Sequence, residues 1–84
     1  MEEQEIGQIS NFLSNISVAL IEVTKGKLQK GDTIHIKGHT TDFEQVVESI
    51  QIEHATVLEA KKGDSIGLKL NQKARKKDQV FKVV

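Results

Sequence analysis

Apolar and polar residues alternate along the chain in short runs, the period-two pattern that is typical of half-buried β-strands. In residues 33–37, Ile34 and Ile36 face one side of a strand and the polar residues face the other. The same alternation returns at 65–70. Runs rich in β-branched and other apolar residues predict further strands at 6–13, 16–23 and 78–83.

Two of these strands begin after the same turn sequence, Lys30-Gly31-Asp32 in one case and Lys62-Gly63-Asp64 in the other. Glycine permits a tight turn, and the aspartate side chain can accept a hydrogen bond from the nearby backbone. A weaker third copy, Lys77-Asp78, lacks the glycine. The copies indicate repeated hairpin entries within one domain, whereas a solenoid would need three or more full units.

The segment 42–54 is compatible with two structures. Phe43, Val46, Val47 and Ile50 match the spacing of an amphipathic helix, whereas alternation around Glu48 matches a strand. The β-branched residues and the surrounding short hairpins favour the strand, and the helix remains an open alternative. The following residues, 56–59, match a helix capping box with room for about one helical turn before the next glycine.

These elements predict an all-β fold, a small closed β-barrel with at most a single helical turn. Closing the sheet removes edge strands that would otherwise invite aggregation. In a chain of 84 residues we expect one barrel domain over 6–84, preceded by a frayed N-terminus at 1–5.

Charge adds a feature that the overall composition hides. The chain has 12 basic and 12 acidic residues, so its formal net charge is zero. Residues 61–84, however, carry seven Lys and one Arg against two Asp, and residues 40–60 carry five carboxylates without a Lys or Arg. The C-terminal third is therefore a candidate surface for a polyanion.

The run from Lys25 to Leu70 resembles a known family. Residues 25–38 are similar to the pattern G-x-[LI]-x-x-G-D-x-[IV]-x-I-x-G of the second domain of translation GTPases such as elongation factor Tu, and residues 60–70 are similar to its closing block A-x-x-G-[DE]-x-[IV]-G-[LV]-x-L. Small stand-alone translation elongation factor-like proteins share the stretch 38–43. The C-terminal barrel of U32-family peptidases is a more distant relative. The resemblance implies the closed β-barrel of that second domain, with about six strands.

Several kinds of chemistry are not expected from this sequence. The phosphate-binding motif of a GTPase is missing, so we expect neither a nucleoside triphosphate nor another cofactor. There is no Cys and no G-x-S-x-G motif, so we expect no catalytic residue and no enzyme activity. Three His at unrelated spacings predict no metal site. No apolar run approaches the ~20 residues of a membrane helix, which leaves a cytoplasmic, membrane-free protein as the expectation.

The candidate binding residues are the basic ones of the C-terminal third. The resemblance implies RNA, tRNA or the ribosome as partner, because this barrel touches the acceptor end of aminoacyl-tRNA in the related factors. The candidates are Lys61, Lys62, Lys69, Lys73, Arg75, Lys76 and Lys77.

Three weaker candidates complete the set. Alignment with elongation factor Tu places Gln51 where that factor has a Glu that helps to bind the terminal adenosine, and Lys69 where it has an apolar residue of the same pocket. His39 and Asp42 form the one pair whose spacing suggests a hydrogen bond that fixes a loop. Two functions are therefore kept: a non-catalytic RNA-binding module, or a protein-interaction module that docks on a separately encoded GTPase- or U32 peptidase-like enzyme.

Overall fold

The computed structural model describes residues 2–53 and 55–83 and folds them into β-strands joined by short turns. Among these residues, no helix is formed that could cross a membrane. The strands are β1 (Glu3–Leu13), β2 (Val18–Val23), β3 (Lys27–Gln29), β4 (Thr33–Lys37), β5 (Asp42–Val46), β6 (Ile50–Ile52), β7 (Ala55–Val57), β8 (Glu59–Lys61), β9 (Ser65–Lys69) and β10 (Gln79–Val83).

The strands form one large sheet and one ribbon. The large sheet has the order β5-β4-β10-β1-β2-β9-β6-β7, and β3 pairs with β8 in the ribbon. The all-β prediction is confirmed. The described chain contains ten strands where about six were expected, because several connections contain strands of only three residues. The backbone ladder of the large sheet leaves β5 and β7 at its two ends, so the barrel-like shape is not closed by strand pairing alone.

The core is almost entirely aliphatic. Ile34 and Ile36 of β4 are fully buried, and Ile66 and Leu68 of β9 are 2% exposed, as the alternation predicted. Phe43 is the one aromatic residue among the buried residues that the structure describes. The remaining apolar core residues come from nearly every other part of the sheet: Ile6, Ile9, Ala19, Ile21, Val23, Leu28, Val47, Ile50, Ala60, Leu70, Ala74 and Val80.

The segment that was ambiguous between helix and strand is extended. In β5, Phe43 and Gln45 point into the protein and their neighbours point outwards, which is the period of a strand. Residues 50–52 form β6, and His54 lies outside the described residues. The capping-box residues 56–59 enter β7 and β8 in place of a helical turn, because Val57 pairs with Ile50.

The N-terminal strand begins earlier than the sequence suggested. β1 starts at Glu3, inside the stretch expected to fray, and Glu3, Gln4 and Glu5 pair with residues 83, 82 and 81 of β10. This pairing supplies backbone partners that an acidic, weakly alternating sequence does not reveal. The division of the chain at residue 6 otherwise stays a prediction.

Three turns share one geometry, and they are the three copies seen in the sequence. The carboxylates of Asp32, Asp64 and Asp78 each accept a hydrogen bond from the backbone N–H three residues earlier, at 2.8, 2.9 and 2.8 Å. Each of these aspartates also donates its own N–H to the same residue's carbonyl, at 3.1, 3.0 and 3.1 Å. The three turns thus deliver β4, β9 and β10 into the sheet in the same way.

The residue before each aspartate takes a positive φ. Gly31 and Gly63 have φ of 96° and 97°, a region in which glycine has no side chain to strain. The third copy places Lys77 there, with φ of 77°. A non-glycine residue in this conformation costs roughly 1–2 kcal/mol, so the third turn keeps its shape against a local penalty.

A buried side chain joins strands that the backbone ladder does not. Gln45 of β5 is 9% exposed, and its side-chain NH₂ donates to the carbonyl of Lys69 at the end of β9. Its amide oxygen accepts the N–H of Asn71 at 2.7 Å. Among the described residues, the backbone of β9 pairs with β2 and β6, so the side chain of Gln45 connects β9 to β5. We call this junction the Gln45 seam.

Replacing Gln45 with Met tests the contribution of the seam. Met keeps the approximate side-chain length but leaves the Lys69 carbonyl and the Asn71 N–H without their partner. We expect the free energy of unfolding in urea to fall by about 1–2 kcal/mol, because two part-buried hydrogen bonds worth about 0.5–1.5 kcal/mol each are lost. The matched control is Gln29→Met, which removes an exposed 3.2 Å bond to Glu59 and should change stability by less than about 0.5 kcal/mol. Equal stability of the two variants would contradict the role given to the seam.

Candidate functional site

A basic groove lies where the third aspartate turn meets the end of β4. Lys37, Arg75, Lys76 and Lys77 line it together with His39, and its volume is about 660 Å³. Gln8, Gly38, Asp78, Gln79 and Phe81 complete the lining. The groove therefore combines four cations with one partly exposed aromatic ring.

The backbone beneath these cations is held firmly. The Asp78 side chain is buried and caps the Arg75 N–H, while the backbone of Lys77 and Asp78 exchanges hydrogen bonds of 2.7 and 2.8 Å with Ile9 in β1. Gly38 lies directly against the Asp78 carboxylate, and a Cβ at that position would come within 2.0 Å of its Oδ1. The basic side chains thus project from a turn that is docked on the sheet.

The other basic candidates lie elsewhere. Lys61 is in β8 opposite Lys27, and Lys62 lines a separate hollow formed with residues 22–24 and 63–65. Lys69 ends β9 opposite Val18. Lys73 is exposed in the loop that follows and does not line the basic groove. The structure therefore brings together Arg75, Lys76 and Lys77 and separates them from the remaining basic candidates of the C-terminal third.

An apolar groove lies on a different part of the surface, next to the β1–β2 turn. Leu13, Ile16, Val18 and Leu20 supply its apolar wall, and its volume is about 530 Å³. Ile16 is 52% exposed and Leu20 is 38% exposed. The remaining lining residues are Ser10, Gln51, Glu53, Ser65, Ile66 and Gly67.

Gln51 and Lys69, the two residues aligned with one pocket of elongation factor Tu, do not line this groove together. Gln51 lines it, but Lys69 does not. The sequence did not single out its apolar wall, because these residues belong to strand runs that alternation assigns to structure. Ile16 was predicted to begin a strand, whereas the structure places it in the turn before β2, where its exposed apolar side chain points to a surface role.

A third cluster surrounds His35 on the outer face of the sheet. The Nδ1 atom of His35 lies 2.8 and 3.0 Å from the two carboxylate oxygens of Glu3, and Nε2 is hydrogen-bonded to Asp42. His35 pairs directly with Glu44 across β4 and β5. Its ring also packs at 6.3 Å from that of Phe81. The sequence predicted a hydrogen bond between Asp42 and His39. In the structure the carboxylate of Asp42 is hydrogen-bonded to His35, because residues 35 and 42 share the outward face of adjacent strands.

The two partners shift each other's pKa in opposite directions. The hydrogen bond to Asp42 raises the pKa of His35 above 6.5, and Glu3 adds to the rise against the lowering effect of burial. The hydrogen bond from His35 lowers the pKa of Asp42 below 3.8, with help from the charges of His35 and Lys37. The cluster therefore favours an imidazolium flanked by carboxylates.

The pH dependence of this cluster follows from those directions. The stabilisation from His35 is complete below pH 6.5 and is lost as the pH rises through its raised pKa in the folded protein. We expect NMR titration of the His35 ring to give a midpoint above 6.5, and we expect Asp42→Asn to lower that midpoint. The variant His39→Gln serves as control and should leave the His35 titration in place. A His35 midpoint that Asp42→Asn leaves unchanged would contradict the pairing.

Comparison with known proteins relates this fold to two groups. A profile of the elongation factor Tu domain 2 family matches residues 17–80. The chain is 49% identical over 78 residues to an uncharacterized protease of Methanocaldococcus jannaschii and 36% identical over 78 residues to a collagenase of Porphyromonas gingivalis. Each alignment covers 92% of this chain but only 19% and 22% of the relative. The chain thus spans about a fifth of the length of these curated relatives.

A solved structure agrees with the fold. The C-terminal domain of a Geobacillus thermoleovorans U32 peptidase superimposes with a TM-score of 0.89, over 96% of this chain and 93% of that one, at 17% identity. The sequence resemblance named stand-alone translation-factor-like proteins first and U32 peptidases as more distant, whereas these curated relatives are named as proteases. The family profile nevertheless covers most of the residues that carried the resemblance, from β2 to β10. The chain belongs to the elongation factor Tu domain 2 family.

Proposed function

We propose that this domain is a non-catalytic docking module for the catalytic domain of a U32-type peptidase. One observation carries the proposal: almost the whole chain matches about a fifth of a larger protease at 49% identity. The remaining four fifths of that relative leave ample length for a separate catalytic domain. The likeness to a U32 peptidase C-terminal domain supports the same arrangement at the level of the fold.

The apolar groove is the surface that suits this role. Interfaces between domains combine an apolar centre with a polar rim. Ile16 and Leu20 offer exposed apolar area, and Ser10, Gln51 and Glu53 surround it with groups that form hydrogen bonds. The groove contains two serine hydroxyls, and none of its described lining residues is a histidine that would activate them. Binding is therefore a better use of this surface than hydrolysis.

The docking proposal is tested by supplying the catalytic region separately. The purified domain is titrated by calorimetry with the catalytic region of the M. jannaschii protease, whose folding is checked by circular dichroism. We expect binding that Leu20→Glu weakens at least about tenfold, because a charge is placed in the buried centre of the interface. The matched control is Leu58→Glu, at a position that is 74% exposed and outside the groove.

Two results would overturn parts of this proposal. If the folded catalytic region shows no binding at about 100 μM, the docking function is wrong. If Leu20→Glu and Leu58→Glu bind as the unchanged domain does, the domain docks but the groove is not its contact surface.

The basic groove supports a second candidate function, binding of RNA. Lys37, Arg75, Lys76 and Lys77 converge on one concave surface, and Phe81 offers a ring for base stacking. Convergence is the supporting observation, because scattered lysines serve equally well as a solvated surface. The partner class is RNA of the tRNA or ribosomal kind, as the family resemblance implies. A cytoplasmic location remains a prediction from the sequence.

The RNA function is tested with two variants of equal charge change. Lys76→Glu alters the basic groove, and Lys62→Glu alters the separate hollow on another part of the surface. In titrations against tRNA over a salt series, we expect Lys76→Glu to weaken binding at least about tenfold and Lys62→Glu by less than about threefold. Binding that is absent or independent of salt would exclude the function. Equal effects of the two variants would exclude the groove.

A further inference from the structure

The cluster around His35 has the donor set of a metal site. One nitrogen of His35 and one carboxylate oxygen each from Glu3 and Glu44 all lie within 4.8 Å of one another. The three residues come from β4, β1 and β5, so the sheet fixes their relative positions. The cluster differs from a group of acidic residues on a loop, because its donors are a ring nitrogen and two carboxylates on three strands of one sheet.

The orientation of the imidazole is the second observation. Asp42 binds Nε2, which turns Nδ1 towards the carboxylate of Glu3. A carboxylate on the far nitrogen of a histidine is the arrangement by which proteins fix the tautomer and direction of a metal-binding ring. The side chain of His35 is only 14% exposed and packs near Phe81, so its direction is also fixed by contact.

We propose that Glu3, His35 and Glu44 bind one Zn²⁺ ion, with Asp42 as the positioning residue. An imidazole nitrogen with two carboxylates suits zinc, whereas Mg²⁺ and Ca²⁺ prefer oxygen ligands throughout. Water fills the fourth position of the tetrahedron. With His35 neutral, the three carboxylates of Glu3, Asp42 and Glu44 give the site a negative charge that attracts a dication. Lys37, whose charge acts on Asp42, is a neighbouring cation.

The chemistry of the site is an exchange of a proton for a metal. When His35 is protonated, the proton on Nδ1 faces Glu3; zinc takes the lone pair of Nδ1 in its place, and that proton leaves to solvent. Nε2 keeps its own proton, which it donates to Asp42, both with and without zinc. The sequence alone indicates no metal here, because one histidine and two glutamates from three separate strands have no recognisable spacing along the chain.

Zinc titration of the whole chain, after treatment with a chelator, tests the proposal. We expect one Zn²⁺ per chain by calorimetry, a thermal midpoint that rises with zinc and does not rise with Mg²⁺, and nitrogen NMR that places zinc on Nδ1 of His35. His35→Gln should abolish this binding and Glu44→Gln should weaken it. Asp42→Asn should weaken it about 10–100-fold, and Asp42→Glu should restore part of the loss. His39→Gln is the matched control and should bind as the unchanged protein does.

Other outcomes would overturn the site. These are no zinc binding by the unchanged protein, equal zinc binding by His35→Gln and His39→Gln, or NMR that places the ion on another histidine. Circular dichroism of each variant verifies folding, and the outward position of the changed side chains leaves the core intact. The test uses neither a peptidase nor RNA, so its result is independent of both proposed functions.

Discussion

The hydrogen bond from an aspartate carboxylate to the backbone N–H three residues earlier is the interaction on which this sheet depends. It occurs at Asp32, Asp64 and Asp78, directly before β4, β9 and β10. A strand that enters one residue early or late would turn its apolar side chains to solvent. By holding each entry point, the three turns decide which residues face the core and which become neighbours on the outer face, including His35 and Glu44.

Much of the fold could be predicted from the sequence, because long strands carry their own signal. The alternation in β4 and β9 and the glycine-aspartate turns before them are visible in the sequence itself. The strands that were missed are short, and a strand such as β3, which buries only Leu28, has no period to detect. The early start of β1 depends on pairing with the opposite end of the chain, which no local pattern records.

The candidate sites were less predictable, for a reason of distance along the chain. Charge runs are visible locally, but the turn before β10 decides that Lys76 shares a groove with Lys37 while Lys62 does not. His35 and Glu3 are 32 residues apart in the sequence, and they meet because β10 pairs with both of their strands. Gln51 lines a surface groove and had been singled out only through the family resemblance, so its role in binding stays a prediction.

The Gln45 seam has a consequence for the outer face. β5 pairs through its backbone with β4 on one side. On its other side, the carboxamide of Gln45 makes the hydrogen bonds to the end of β9 and to Asn71. Local opening of a protein begins where the fewest interactions must break together. Because Asp42 and Glu44 belong to that same strand, departure of β5 removes both carboxylates from His35 at once. An ion or a proton held by the His35 cluster therefore also holds β5 to the rest of the sheet.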